Sequence, residues 1–373
     1  MSGDLREALI DLAAYRANIA RVTALVSPSA VLAVVKADAY GHGMEQCARA
    51  ALEAGATWLG TADRAEAQAL RAAGITAPIL CWLHAPGATF DAEVQADIDL
   101  GISSVEQLAA AAQAGHSVGR PARVHLKVET GLGRNGVAGY DWERVLLQAR
   151  EAARAGAIVV VGIWSHLAGT SAEADAEQAA AFNSALALAA SLGIDPELRH
   201  LAASGAALSE PELRYDLVRI GIAGYGLSPW AGERGVDEFG LTPVMTLRSK
   251  VAAVRRVEPG HGVSYGHTWR AEHPTGLALV PLGYADGIPR QASGRAEVWL
   301  AGQRMPVVGR IAMDQFVVET GDVPVEVGDE VVVFGDGSTG APTAEDWAGW
   351  SDSIGYEIVT RLGPRVTRLA KGA

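Results

Sequence analysis

Lys36 closes an apolar run, Val31-Leu-Ala-Val-Val-Lys36, and is followed at once by Ala-Asp-Ala-Tyr-Gly-His-Gly. A lysine at the carboxyl end of a buried strand is partly stripped of water, which disfavours its ammonium form. An amine that sheds its proton near neutral pH can form a Schiff base with an aldehyde. The glycines behind it let the backbone turn tightly and approach a ligand. The segment therefore reads as an anchor for pyridoxal 5'-phosphate, and an ordinary strand-capping lysine fits the same residues. Other polar side chains stand at the ends of further apolar runs: Tyr40, Lys127, Arg134, His166, Ser204, and Arg219 with Gly221 and Ile222. A random scatter would put as many before the runs as after them.

Placing these residues together requires a particular set of elements. Short apolar runs alternate with alanine-rich stretches between about residues 10 and 230. The expected strands are Val31–Lys36, Thr57–Thr61, Pro78–Leu83, Ile98–Ser103, Ala122–Glu129, Ala157–Ser165, Leu198–Ala203 and Leu217–Gly221. The expected helices are Asp11–Val26, Met44–Ala54, Ala62–Ala73, Val105–Ala114, Asp141–Ala155 and Ala174–Leu192. Asp63 and Ser104 stand where helices start. Gly55, Gly74, Gly115, Gly156 and Gly193 stand where they stop. Strands each followed by a helix or helical turn predict an α/β fold, a (β/α)8 TIM barrel, whose active site lies at the carboxyl ends of its strands. A doubly wound sheet is the alternative topology, but no G-x-G-x-x-G opens the first crossover. After Gly240 valine-rich segments and turn signals take over, with one late helix near Thr343–Trp350. The expected division is a barrel over 1–235 and a mostly-β C-terminal domain over 236–373.

The bulk numbers narrow the class. A net charge of -12 argues against nucleic acid or an anionic membrane as partner. Cys47 and Cys81 give no disulfide framework. The N-terminus lacks an apolar core, so it does not read as a signal peptide, and no apolar stretch reaches transmembrane length. A reduced, cytoplasmic enzyme is expected.

The chain resembles the alanine racemases. The matching segments are Ala33–Gly43, His125–Gly136, Asp216–Gly226, Val263–Trp269, Gly283–Gly287 and Gly309–Gln315, in family order over nearly the whole length. The resemblance implies that Lys36 carries pyridoxal 5'-phosphate and that Tyr40, Ser204, Gly221, Ile222 and Tyr356 hold its phosphate. For Tyr356, a packing role fits the sequence equally well. It implies that Arg219 faces the pyridine nitrogen. It also implies two acid/base groups on opposite faces of Cα, Lys36 and Tyr265, with His166 linking Tyr265 to Arg219. Arg134 would bind the alanine carboxylate, and Lys127 would position it, carbamylated as in some relatives or unmodified. Tyr265, Met313, Asp314 and Tyr284 would come from the other subunit of a homodimer with shared sites. Two positions depart from common family patterns: Ala312, where cysteine is often found, and Ala203, where asparagine is frequent. They bear on substrate fit, since neither carries a proton.

The reaction so implied is interconversion of L- and D-alanine, supplying D-alanine for peptidoglycan. A broad-specificity racemase or a related decarboxylase is the alternative on the same architecture. A non-catalytic cofactor-binding protein would use the barrel alone and have no Tyr265.

Overall fold

The computed structural model describes residues 5–372. Two compact units divide the chain. One contains Ile19–Ala39 and Cys47–Gly224; the other contains Met1–Asn18, Tyr40–Gln46 and Tyr225–Ala373. The first is the barrel. Its eight parallel strands are Ala30–Val34, Trp58–Thr61, Ile79–Cys81, Asp99–Ile102, Ala122–Lys127, Ile158–Trp164, Leu198–His200 and Leu217–Ile220. Neighbours in sequence are neighbours in the sheet, and the first strand also pairs with the last. A bridge between Ala203 and Arg219 closes the ring. These strands read as near-continuous apolar runs because helices cover one face and the barrel interior the other. Helix Gly139–Arg154 shows how the cover is built. Trp142, Val145, Leu146 and Ala149 form its buried stripe, at the spacing that returns to one helix face. The Trp142 indole N–H donates to Ala185 O at 3.1 Å. Burying a side chain of this size is worth about 1.5–3 kcal/mol, so a charge at Leu146 would break the contact.

Helix Val105–Val118 departs from expectation. It does not stop at Gly115 but at Gly119, which caps it with φ 76°. Gly115 lies inside the helix because a Cβ there would meet the Ala157 carbonyl oxygen at 1.9 Å. The Asp63 and Ser104 starts are as expected: each side chain accepts a backbone N–H, from Glu66 and Gln107.

The second unit is built on a nine-stranded sheet. Its order is Ala253–Val257, Thr275–Val280, Phe316–Gly321, Gln303–Val308, Glu297–Leu300, Glu330–Phe334, Met245–Lys250, Arg6–Asp11 and Thr367–Lys371. Arg6–Asp11 thus belongs to this sheet, antiparallel to one neighbour and parallel to the other. The expected division places 1–235 in the barrel and so misplaces this strand, because Arg-Glu-Ala-Leu-Ile-Asp is too polar to announce one. Helix Ala344–Trp350 lies where expected, capped by Thr343. No helix among the described residues is long and apolar enough to cross a membrane, and both cysteines are buried thiols.

Candidate active site

Past the first barrel strand the chain makes one helical turn, Lys36–Gly41. The turn is left-handed: Ala37, Asp38, Ala39 and Tyr40 have φ between 52° and 54°. Ala39 N–H donates to Val35 O at 2.8 Å. The sequence reading expected glycines to make this turn; four residues with side chains make it instead, each at about 1–2 kcal/mol. Such strain collects at functional sites and persists only when the surroundings enforce it. Glu66 is part of that enforcement. Its Oε1 accepts the Ala37 N–H at 2.5 Å and its Oε2 the Ala62 N–H at 2.9 Å. Burial and then the Arg134 charge lower the pKa of the Lys36 amine, with the Glu66 carboxylate working against them.

Arg219, on the last barrel strand, is 4% exposed. Its Nη1 donates to His200 Nδ1 and His200 O, both at 3.1 Å. Its Nη2 faces Ser165 O at 2.8 Å, Leu201 O at 2.9 Å and His166 Nδ1 at 3.1 Å. The four Nη hydrogens are therefore engaged, and Nε is the donor these contacts leave over. Burial lowers the guanidinium pKa, yet arginine keeps its charge in proteins. His166 accepts from that charge at Nδ1, so its own proton sits on Nε2. Burial, then Arg219, Arg134, Lys127 and Lys36, push its pKa down to about 2.

Lys127 ends the fifth barrel strand, with its ammonium 4.7 Å from the Trp164 ring centre. Burial, then Arg219 and Arg134, push its pKa down to about 8, opposed by Glu129. Glu129 shapes the following loop: its Oε1 accepts the N–H groups of Gly131 and Gly133 at 2.6 and 3.1 Å. Exposed Arg134 follows in that loop. Ser204 opens helix Ser204–Ser209, and its Oγ accepts the Gly221 N–H at 3.0 Å. The turn Ile222–Tyr225 begins one residue later. The barrel unit thus gathers Lys36, Lys127, Arg134, His166 and Arg219 into one electrostatic cluster, and joins Ser204 to Gly221.

In the second unit Tyr40 and Tyr356 lie with ring centres 6.2 Å apart. Burial raises both phenols, Tyr356 to about 12 with help from Glu345. Tyr284 N–H donates to Ala312 O and Ala285 N–H to Met313 O, each at 3.0 Å. Gly283 permits this approach, since a Cβ there would fall 2.3 Å from Met313 O. Asp314 accepts from Arg365 Nη1 at 2.7 Å. Tyr265, Met313 and Tyr284 are 71%, 53% and 42% exposed.

The sequence reading missed Asp99, His125 and His200, which open, lie within and close their respective strands and are buried to 1% exposure or less. The available signal was a charged or imidazole side chain in a strand whose pattern hides both faces. Among the described residues no His/Cys/Asp/Glu group has the arrangement of a metal site.

Comparison with known proteins agrees over the whole chain. Residues 10–229 match the family described as Alanine racemase, N-terminal domain, and residues 244–370 match Alanine racemase, C-terminal domain. An alanine racemase of Frankia casuarinae is 50% identical over 369 residues, 98% of this chain and 96% of that protein. One of Thermobifida fusca is 49% identical over 370 residues, 98% of each. The crystal structure of alanine racemase from D-cycloserine producing Streptomyces lavendulae superposes with a TM-score of 0.98 at 49% identity, covering 100% of this chain and 98% of that one. An alanine racemase of Clostridium difficile 630 in complex with cycloserine gives 0.88 at 31% identity, covering 99% and 96%.

Proposed function

The chain belongs to the alanine racemase family and is an isomerase acting on alanine, and on that premise we propose that it uses pyridoxal phosphate held at Lys36, works as a homodimer with shared sites, and supplies D-alanine for peptidoglycan. The observation that carries this is electrostatic. In a chain of net charge -12, four cations, Lys36, Lys127, Arg134 and Arg219, all act on His166. Such a pocket suits a ligand bearing a phosphate and a carboxylate.

The residues fit the cofactor. Lys36 offers an amine whose proton is loosened by burial and by Arg134. Ser204 and the Gly221–Ile222 backbone offer a hydroxyl and amides for the phosphate, with the phenols of Tyr40 and Tyr356 as further donors. Arg219 offers Nε–H to the ring nitrogen and cannot readily hand over a full proton. When bound, the cofactor supplies an electron sink for the bond to Cα.

The chain's own residues then move one proton. Lys36 Nζ serves one face of Cα. Tyr265 of the partner subunit serves the other, its phenol oxygen receiving the His166 Nε2–H. That donor is available because Nδ1 is already turned to Arg219, and it lowers the cost of a phenolate. Arg134 holds the substrate carboxylate, and Lys127 lies behind it, carbamylated or not. The exposure of Tyr265, Tyr284 and Met313 in the single chain supports their being covered by, and completing, a second copy; Asp314 stands beside them as the partner's contribution.

The test gives purified protein and pyridoxal phosphate L-alanine and follows optical rotation. Decay to the racemate is expected, and borohydride reduction should leave the cofactor on the peptide containing Lys36. Release of carbon dioxide in place of inversion would make the chain a decarboxylase. Covalent cofactor retained by Lys36→Ala would place the anchor elsewhere.

A further inference from the structure

Three side chains in the barrel interior take no part in the chemistry above, and they form a line that ends on Arg219. Arg123 Nε donates to Asp99 Oδ1 at 2.8 Å. The other oxygen, Oδ2, lies 3.2 Å from His125 Nε2. His125 Nδ1 lies 3.0 Å from His200 Nε2, and His200 Nδ1 lies 3.1 Å from Arg219 Nη1. The line crosses four strands.

The two ends fix where its protons sit. Arginine has donors only, so His200 Nδ1 accepts. A neutral imidazole that accepts at Nδ1 carries its hydrogen on Nε2, so His200 donates to His125 Nδ1. His125 by the same rule carries its hydrogen on Nε2 and donates to Asp99. An ionised carboxylate only accepts, so the far end demands the same direction as the near one. Burial and the Arg219 charge hold His200 neutral. The room for this line is also built. Gly162 faces His125, and a Cβ there would stand 2.3 Å from its Nδ1. The His200 ring stacks on Trp164 at 5.4 Å and 7°, and the Trp164 indole N–H donates to His125 O at 3.3 Å.

We propose that Asp99 is a positioning residue for Arg219: by accepting from His125 it fixes the tautomers of His125 and His200, which hold the Nη1 edge of Arg219 in the barrel and leave its Nε edge to meet the cofactor ring. The last clause rests on the function proposed above; the tautomer assignment does not. Partners that fix the tautomer of a metal-bound histidine are worth about 10–100-fold in function, and the lower end of that range is expected for this metal-free line.

The experiment uses full-length protein with pyridoxal phosphate bound and nitrogen-15 in its histidines. Solid-state spectra distinguish protonated from bare ring nitrogens, and the short His125 Nδ1 to His200 Nε2 contact identifies the pair. Both rings are expected neutral, with hydrogen on Nε2. Asp99→Leu removes both acceptors, and Gly162→Ala drives a methyl against His125 Nδ1 and displaces the ring without removing a hydrogen-bonding group. Each should disturb the tautomers and lower kcat for L-alanine about tenfold with KM unchanged. Asp99→Asn keeps one acceptor oxygen for His125, lets half-exposed Arg123 turn to water, and should retain both. A hydrogen on Nδ1 of either ring in the unmutated protein overturns the proposal whether or not the variants fold. So does Asp99→Leu folding with kcat within twofold of the unmutated protein. If the unmutated protein fails to racemise alanine while the tautomers are as stated, it is the functional reading that falls.

Discussion

The turn after Lys36 reverses an ordinary rule of helix energetics. Replacing alanine by glycine inside an exposed right-handed helix costs about 1 kcal/mol. Ala37 is exposed but sits at φ 53°, where a Cβ is unfavourable by about 1–2 kcal/mol. Ala37→Gly relieves that amount and gives back about 0.4–1 kcal/mol through the freer unfolded chain. The net expectation is neutral to about 1.6 kcal/mol stabilising. Ala181→Gly is the control, an exposed position inside helix Ala172–Ser191, expected to destabilise by about 1 kcal/mol. Urea unfolding of the two variants beside the unmutated protein reads the difference, at one fixed cofactor concentration because ligand binding raises apparent stability. Opposite signs, or a separation of at least about 1 kcal/mol, are expected. If Ala37→Gly destabilises as much as the control, the turn is not strained and the reasoning about how Lys36 is held is wrong. If strain does hold the amine in place, the racemisation rate falls as stability rises, the usual exchange at a strained site.

Other expectations follow from single contacts. Gly115→Ala should destabilise by about 1–3 kcal/mol in urea although it raises helix propensity, because the methyl runs into the Ala157 carbonyl; a gain in stability would contradict the packing. Burial, then Arg219 and Arg134, push the Lys127 pKa in the folded chain down to about 8 from its ordinary 10.5. Below pH 8 it is charged in both states and its burial penalty is fully present; the penalty fades as pH rises from 8 to 10.5. Lys127→Met should therefore raise the urea midpoint at pH 7, with the gain shrinking by pH 10, whereas a loss at pH 7 would mean the residue is carbamylated and structurally engaged. Tyr265→Phe should slow proton removal from L-alanine far more than from D-alanine, read as unequal losses of initial rate in the two directions. Equal, small losses would remove its role as a base.

The barrel was legible because its strands are buried on both faces and so appear as unbroken Val, Ile and Leu runs. Lys36, Lys127, His166, Ser204 and Arg219 were legible because polar residues collected at one end of those runs. What escaped has physical reasons. Arg6–Asp11 and Thr367–Lys371 lie beside each other in a sheet that tolerates charge on one face, so neither carries an apolar signature. The handedness of the turn at 37–40 was hidden because Ala-Asp-Ala-Tyr has no glycine to advertise positive φ. Gly115 read as a stop because composition does not reveal a backbone carbonyl arriving from a distant strand. Asp99 and His125 were passed over because they precede the carboxyl ends of their strands, and His200 because its strand stops three residues before the expected end at Ala203.

The place of Arg6–Asp11 between Met245–Lys250 and Thr367–Lys371 also sets a timetable for the nascent chain. All eight barrel strands have been synthesised once Ile220 has left the ribosome, but Arg6–Asp11 must wait for Thr367–Lys371. At about 5–20 residues per second that wait is on the order of 20–70 s. During it one pairing edge of Arg6–Asp11 stands open, and a chain without Thr367–Lys371 never closes it.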